Sequence, residues 1–251
     1  MVALTLPRLH WGPTDAPHRA LLVHGLGSSA QTMWFLGEYV ASKGWSATAV
    51  DLRGHGDAPR ASSYRIADFA EDLAHTHPDS AASWDLVAGH SIAGAAVVSA
   101  SAHNPQWTKK LVLLDPALYV VRDNQEAVLA RQRYGHDQLT EDEVRAQFPH
   151  WHPQDQELRV VANRQASRFA LEHAVIDNAV WDVRDDAAAL AVPTLILRSD
   201  PAVDTMAPVA LMEEVCSTNP LISHEMIEGA GHSLHRDRPQ QTADALFRWL
   251  G

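Results

Sequence analysis

The stretch Asp85-Leu86-Val87-Ala88-Gly89-His90-Ser91-Ile92-Ala93-Gly94 decides how the chain is read. An apolar run reaches Gly89, and small-residue, helix-compatible sequence begins at Ile92, so the spelling predicts a strand that turns directly into a helix at Ser91. A serine on so tight a turn has a strained backbone and an exposed hydroxyl. The residues two before and two after it must be small, because strand and helix approach each other closely. Gly89 and Ala93 meet that need; the second place is more often glycine, and Ala93 adds one methyl. The N–H of Ile92, at the helix start, is expected to face a developing oxyanion with help from the helix dipole.

Two further stretches complete the pattern. His24-Gly25-Leu26-Gly27-Ser28-Ser29 follows the first clear apolar run, and its glycine-rich turn lets the Leu26 N–H serve as a second oxyanion donor. Gly229-Ala230-Gly231-His232-Ser233 follows the last such run. A histidine on a glycine-rich loop at the carboxyl end of a strand suits a general base that must reach across to a serine.

Short apolar runs at 20–24, 46–51, 84–88, 110–115, 194–198 and 222–227 alternate with helical stretches at 30–43, 64–75, 92–102, 208–216 and 240–250. Several runs are almost continuously Val, Leu and Ile, as in strands covered on both faces. The order predicts an α/β fold, a mostly parallel, doubly wound sheet of about seven to eight strands flanked by helices, with a further edge strand within 3–11. The alternation stops between 119 and 189. There Thr140 and Glu143 form a capping box, and 157–180 reads as one long or broken helix. This segment is expected to be a helical cap inserted after the strand ending at Asp115, with 1–118 and 190–251 forming the core.

The 251 residues, 46% of them hydrophobic, are enough for one sizeable α/β domain. Twenty Lys and Arg against 31 Asp and Glu leave a net charge of −11. Such a surface repels phosphate backbones and anionic lipid, so nucleic acid and membranes are poor partners and a small-molecule substrate is expected. The single cysteine, Cys216, excludes an intrachain disulfide and a cysteine-rich zinc site; on its amphipathic stretch with Leu211 and Val215 it reads as packing. The N-terminal residues lack the basic and apolar regions of a leader, and a cytoplasmic monomer or homodimer is the expectation.

Together with Asp51-Leu52-Arg53-Gly54-His55-Gly56, these motifs resemble the α/β-hydrolase fold superfamily, and more narrowly its cap-bearing esterase, C–C hydrolase and haloperoxidase-like branch. The resemblance spans nearly the whole chain, the cap excepted. It implies a serine hydrolase without a cofactor, with Ser91 as nucleophile, His232 as base and Leu26 and Ile92 lining the oxyanion hole. The implied reaction is hydrolysis of a small carboxylic ester, thioester or lactone through an acyl-enzyme. C–C bond hydrolysis with the same triad, or ligand binding without turnover, are the alternatives.

In the family the acid usually follows the strand that is 193–198 here, where the chain reads Ser199-Asp200-Pro201-Ala202-Val203-Asp204-Thr205-Met206-Ala207-Pro208. Asp204 keeps the family's spacing to Pro208 and lies 28 residues before His232, so it is the expected acid. Asp200 and Asp115 are the alternatives, Asp115 because some relatives carry the acid at the end of the preceding strand. Trp34, Tyr134 and Trp151, with Arg131, Arg133 and Arg164, are candidates for substrate contact. His150 and His152 could share one face of an extended segment, but no third ligand is identifiable and no metal is expected.

Overall fold

A computed structural model describes residues 2–79, 81–121, 125–178 and 180–251. Its strands are β1 (Arg8–Trp11), β2 (Arg19–Val23), β3 (Ser46–Val50), β4 (Leu86–His90), β5 (Leu111–Leu114), β6 (Tyr119–Val120), β7 (Trp181–Asp182), β8 (Thr194–Arg198) and β9 (Ile222–Met226). The helices are α1 (Trp34–Ser42), α2 (Ile66–Ala74), α3 (Ile92–His103), α4 (Gln125–Asp137), α5 (Glu141–Gln147), α6 (Pro153–Gln165), α7 (Arg168–Ile176), α8 (Arg184–Ala188), α9 (Val209–Thr218), α10 (Leu234–Asp237) and α11 (Pro239–Leu250).

Alternate side chains of a strand point to opposite faces, and here both faces are apolar. Leu21, Val23, Val87, Leu111, Leu113 and Ile196 enter one core cluster, together with Phe69 and Leu73 of α2 and Val97 of α3. Ala20, Leu22, Leu86, Ala88, Val112, Leu114, Leu195 and Leu197 enter the other, with Leu36 of α1 and Leu246 of α11. A sheet that is buried on both sides follows, in the order β1-β3-β2-β4-β5-β8-β9. All neighbours in it are parallel except β1, which pairs antiparallel with β3. Of the expected edge strand within 3–11, only Arg8–Trp11 joins the sheet.

The chain runs from β2 outward to β3 and then returns to the other side of β2 as β4. That reversal places a crevice at the carboxyl ends of β2 and β4, the position where open α/β sheets bind ligands. The turn after β2 carries Leu26, and the turn after β4 carries Ser91.

Between β5 and β8 the chain forms an insert containing α4 to α7, with residues 122–124 and 179 outside the described set. Its two ends meet as a short antiparallel ribbon, Tyr119 opposite Asp182 and Val120 opposite Trp181. Thr140 and Glu143 cap α5 reciprocally. The stretch read as one long or broken helix is broken into two. Pro153 starts α6, where proline's missing N–H costs nothing, and Ser167 caps α7. The break between them is fixed to the core, because the Ser167 N–H donates to the Gly54 carbonyl at 2.7 Å.

Candidate active site

Ser91 sits at φ 57°, a left-handed backbone for a residue with a side chain. Strain of this kind persists only where the surroundings enforce it. The neighbours explain the enforcement. A Cβ on Gly89 would lie 2.8 Å from the Ala93 carbonyl oxygen, and one on Gly94 would lie 2.5 Å from Pro116 Cβ. A Cβ on Gly25, from the turn after β2, would lie 3.2 Å from Ser91 Cβ. Three glycines therefore let two turns and a helix start converge on one serine.

His232 Nε2 lies 2.9 Å from Ser91 Oγ. Its Nδ1 lies 2.6 Å from Oδ2 of Asp115, a fully buried residue directly after β5. Asp115 is itself held at φ 41°. Its carboxylate also accepts from the Ser199 N–H (3.1 Å), the Thr205 hydroxyl (2.9 Å) and the Met206 N–H (2.8 Å). Burial works to raise the Asp115 pKa, but the hydrogen bond and charge of His232, with those backbone donors, outweigh it and hold the group at about 2.

The expected partner of His232 was Asp204, and the structure corrects this. Asp204 is exposed, and its neighbour Thr205 turns inward instead, as a donor to Asp115. Asp200 is also engaged elsewhere, its two oxygens accepting from the Ala202 and Gly229 N–H groups in a turn that braces the loop before His232. The loop after β8 thus supplies donors to Asp115 rather than a carboxylate to His232.

Ile92 is the first residue of α3, so its N–H has no acceptor within the helix. The Leu26 N–H likewise makes no hydrogen bond with the described residues. Two buried histidines shape the Leu26 turn. His55 Nε2 accepts from the Gly27 N–H at 3.2 Å, and His24 Nε2 accepts from the Leu52 N–H at 3.1 Å, while their Nδ1 atoms face the Arg53 and Gly25 carbonyls. Burial keeps both neutral, with pKa values lowered to about 3 for His24, where the neighbouring His55 adds to the effect, and about 4 for His55. Asp51 completes the clamp by accepting from the Ala30 and Asp57 N–H groups. The Asp51–Gly56 stretch therefore works as a brace for the turn.

The expected substrate contacts fare differently. Trp34 is half-buried and donates from Nε1 to Asp155 Oδ1 at 3.0 Å, joining the turn after β2 to α6. Trp151 is buried core of the insert, stacked on Phe148 at 4.0 Å, with Nε1 bound to Asp237. Tyr134 is exposed and hydrogen-bonded to Glu143, on the capping box rather than on the site. His150 donates to Asp237 and His152 caps α6, so the two are engaged separately; no cluster of three metal-ligating side chains occurs among the described residues. No helix among them is long and apolar enough to cross a membrane.

Sequence reasoning missed Arg236. Buried in α10, it reaches Ser28 Oγ at 2.8 Å and lies 3.9 Å from Asp155, behind the Leu26 turn. It missed His90 as well, whose Nε2 faces the His232 carbonyl at 2.9 Å and fixes the backbone of the histidine loop. Nothing in the sequence marks either, since both act through tertiary contacts.

A family model described as the alpha/beta hydrolase family matches residues 20–245. Among curated proteins, Lipase LipV of Mycobacterium tuberculosis is 31% identical over 49% of this chain, and the aligned part spans 48% of the lipase, about half its length. The 2-(acetamidomethylene)succinate hydrolase of Mesorhizobium japonicum is 24% identical over 92% of this chain and 87% of its own. Among solved structures, the N-formylmaleamic acid deformylase of Pseudomonas putida S16 superposes with a TM-score of 0.79 at 22% identity, covering 96% of this chain and 94% of that one.

Proposed function

The chain belongs to the alpha/beta hydrolase family, and from that premise we propose that it is a serine hydrolase acting on a small carboxylic acid derivative, with Ser91, His232 and Asp115 as its triad. The observation that carries the proposal is the continuous hydrogen-bonded series from Ser91 Oγ through His232 to Asp115, anchored on a serine with strained backbone.

In this reading Ser91 Oγ attacks the substrate carbonyl while His232 Nε2 takes its proton. Asp115 holds the Nδ1–H tautomer and stabilises the imidazolium. The Leu26 and Ile92 N–H groups, free of other partners, bind the oxyanion. His232 then protonates the leaving group, and a water deprotonated by the same nitrogen releases the acid from Ser91. The helical insert acts as a cap over this crevice. An ester is the first substrate class to test. Hydrolysis of an amide is the second, because two similar proteins are named for an acetamido compound and a maleamic acid. C–C bond hydrolysis uses the same groups and belongs in the same substrate panel.

Intact-mass analysis after incubation with a fluorophosphonate tests the proposal. One covalent adduct on the native protein, absent from Ser91→Ala, is the expected result. Folded native protein that takes up no adduct overturns it.

A further inference from the structure

Asp155, Arg159 and Asn163 follow one another at intervals of four on α6, which puts them on one face of the helix. The outer members face the start of α1 and the turn after β2. Asp155 accepts from Trp34 and lies near Arg236, whereas Asn163 Oδ1 lies 2.9 Å from where a Cβ on Gly27 would stand. Arg159, between them, is about one helical turn (roughly 6 Å of rise) from the residue that touches Gly27. Gly25, two residues earlier in the same turn, is packed against Ser91. Arg159 is thereby set on the helix face between the start of α1 and the turn that carries Leu26.

Its charge is uncompensated. The Arg159 guanidinium makes no hydrogen bond or ion pair with the described residues. Its charged neighbours are Arg236 and Arg131; of the two carboxylates on its own helix, Asp155 faces Arg236 and Glu157 is exposed. Arg159 keeps partial solvent exposure although protein surrounds its guanidinium closely enough to push its pKa down to about 10, burial first and the two arginines after it. Arg159 is thus a half-buried guanidinium that water still reaches. In a chain of net charge −11, a half-buried guanidinium with no partner among the described residues and two arginines beside it suits an anion, because a carboxylate offers it bidentate hydrogen bonds and removes the repulsion.

We propose that Arg159, with Arg131 beside it, binds a free carboxylate of the substrate, so that the preferred substrates are anionic acyl compounds rather than neutral esters. This rests on the serine hydrolase reading for the word substrate, but not for the binding site itself.

Glutarate serves as the probe, by titration calorimetry on the native protein, Arg159→Met, Arg159→Lys and Arg145→Met, the last removing an exposed arginine of the same insert that is paired to Glu141 and Asp142. In parallel, kcat/KM is compared for the 4-nitrophenyl monoester of glutarate and for 4-nitrophenyl butyrate. The expected results are glutarate binding that weakens about tenfold or more in Arg159→Met, less in Arg159→Lys and not in Arg145→Met. The anionic-to-neutral ratio of kcat/KM is expected to fall in the same order. Absence of glutarate binding by the native protein, an Arg159→Met variant that binds like the native one, or an equal loss in Arg145→Met overturns the proposal. If Arg159→Met does not fold, Arg159→Lys and Arg131→Met carry the same comparison. Glutarate binding that depends on Arg159 in a protein that cleaves neither ester leaves the anion site standing and removes the hydrolase. Cleavage of the neutral ester without Arg159-dependent binding does the reverse.

Discussion

Asp115 Oδ2 lies 2.6 Å from His232 Nδ1 across 117 residues of sequence, and three donors from the loop after β8 fix the same carboxylate in place. Asp115 therefore hangs from β5, the strand next to the one that leads into Ser91, while the neighbouring loop holds it still. Asp115→Asn, which reverses the donor toward the wrong imidazole tautomer, is expected to lower kcat about 10³- to 10⁴-fold. Asp204→Asn, at an exposed side chain, is expected to stay within about twofold of the native rate. Steady-state rates on any accepted ester decide between them, and a large loss in Asp204→Asn with little in Asp115→Asn would reverse the assignment.

The two histidines that brace the Leu26 turn make stability depend on pH. Their folded pKa values, about 3 for His24 and about 4 for His55, lie below the ordinary 6.5. The unfolded chain thus binds more protons below pH 6.5, and stability falls as pH drops from there toward 4. For His55 alone the full loss is on the order of 3 kcal/mol. Urea midpoints between pH 7.5 and 4.5 should fall steadily, and His55→Gln should flatten the slope while starting from a lower value. A midpoint constant down to pH 5 in the native protein would contradict this account.

How far the residues disclosed the structure can be judged from Ser91 and Asp115. The elbow was legible because a tight strand-to-helix turn demands small residues at fixed offsets, a local rule visible in Gly89 and Ala93. The sheet was legible because its strands are apolar on both faces. The acid was not legible, because a carboxylate needs only to reach His232, and both β5 and β8 end within reach. The loop after Arg198 itself offers two carboxylates, Asp200 and Asp204, and the spacing to Pro208 favoured the second. A break in the helix of 157–180 was foreseen, but its position between α6 and α7 was hidden for a related reason. Ala166 ends α6 and Ser167 caps α7, and the Ser167 N–H is held by the Gly54 carbonyl, far away in sequence.

The packing behind the elbow can be perturbed from one atom. A Cβ on Gly94 meets Pro116 Cβ at 2.5 Å and Pro116 Cα at 3.0 Å, and backbone cannot move aside as a flexible side chain can. Gly94→Ala is expected to lose about 1–2 kcal/mol, since overpacking exceeds the gain in helix propensity. It should also slow fluorophosphonate labelling, because Pro116 follows Asp115. Ala93→Gly is the counterpart. It removes a methyl without opening a clash and should cost about 1 kcal/mol of helix stability with labelling retained. Thermal melts and labelling rates on the two variants would show whether the distinction holds.

Asp237 ties the insert to the loop that carries His232. Its Oδ1 accepts from Trp151 Nε1 at 2.6 Å and from His150 Nε2 at 2.9 Å, and its Oδ2 accepts from the Gly231 N–H at 2.9 Å. One buried carboxylate thus positions both the residue before the base and the aromatic core of the insert. Asp237→Asn cannot satisfy all three, because its amide nitrogen must face a donor on one side. Leaving a buried N–H unpaired costs about 1–3 kcal/mol. If half of that is felt at Gly231, kcat falls roughly two- to tenfold. Trp151→Phe keeps the ring on Phe148 and removes a single donor, so it should lower the melting temperature less and spare kcat. The decisive measurement is kcat beside melting temperature for both variants. An Asp237→Asn protein that melts and turns over like the native one would mean that insert and base loop are held in register by packing alone.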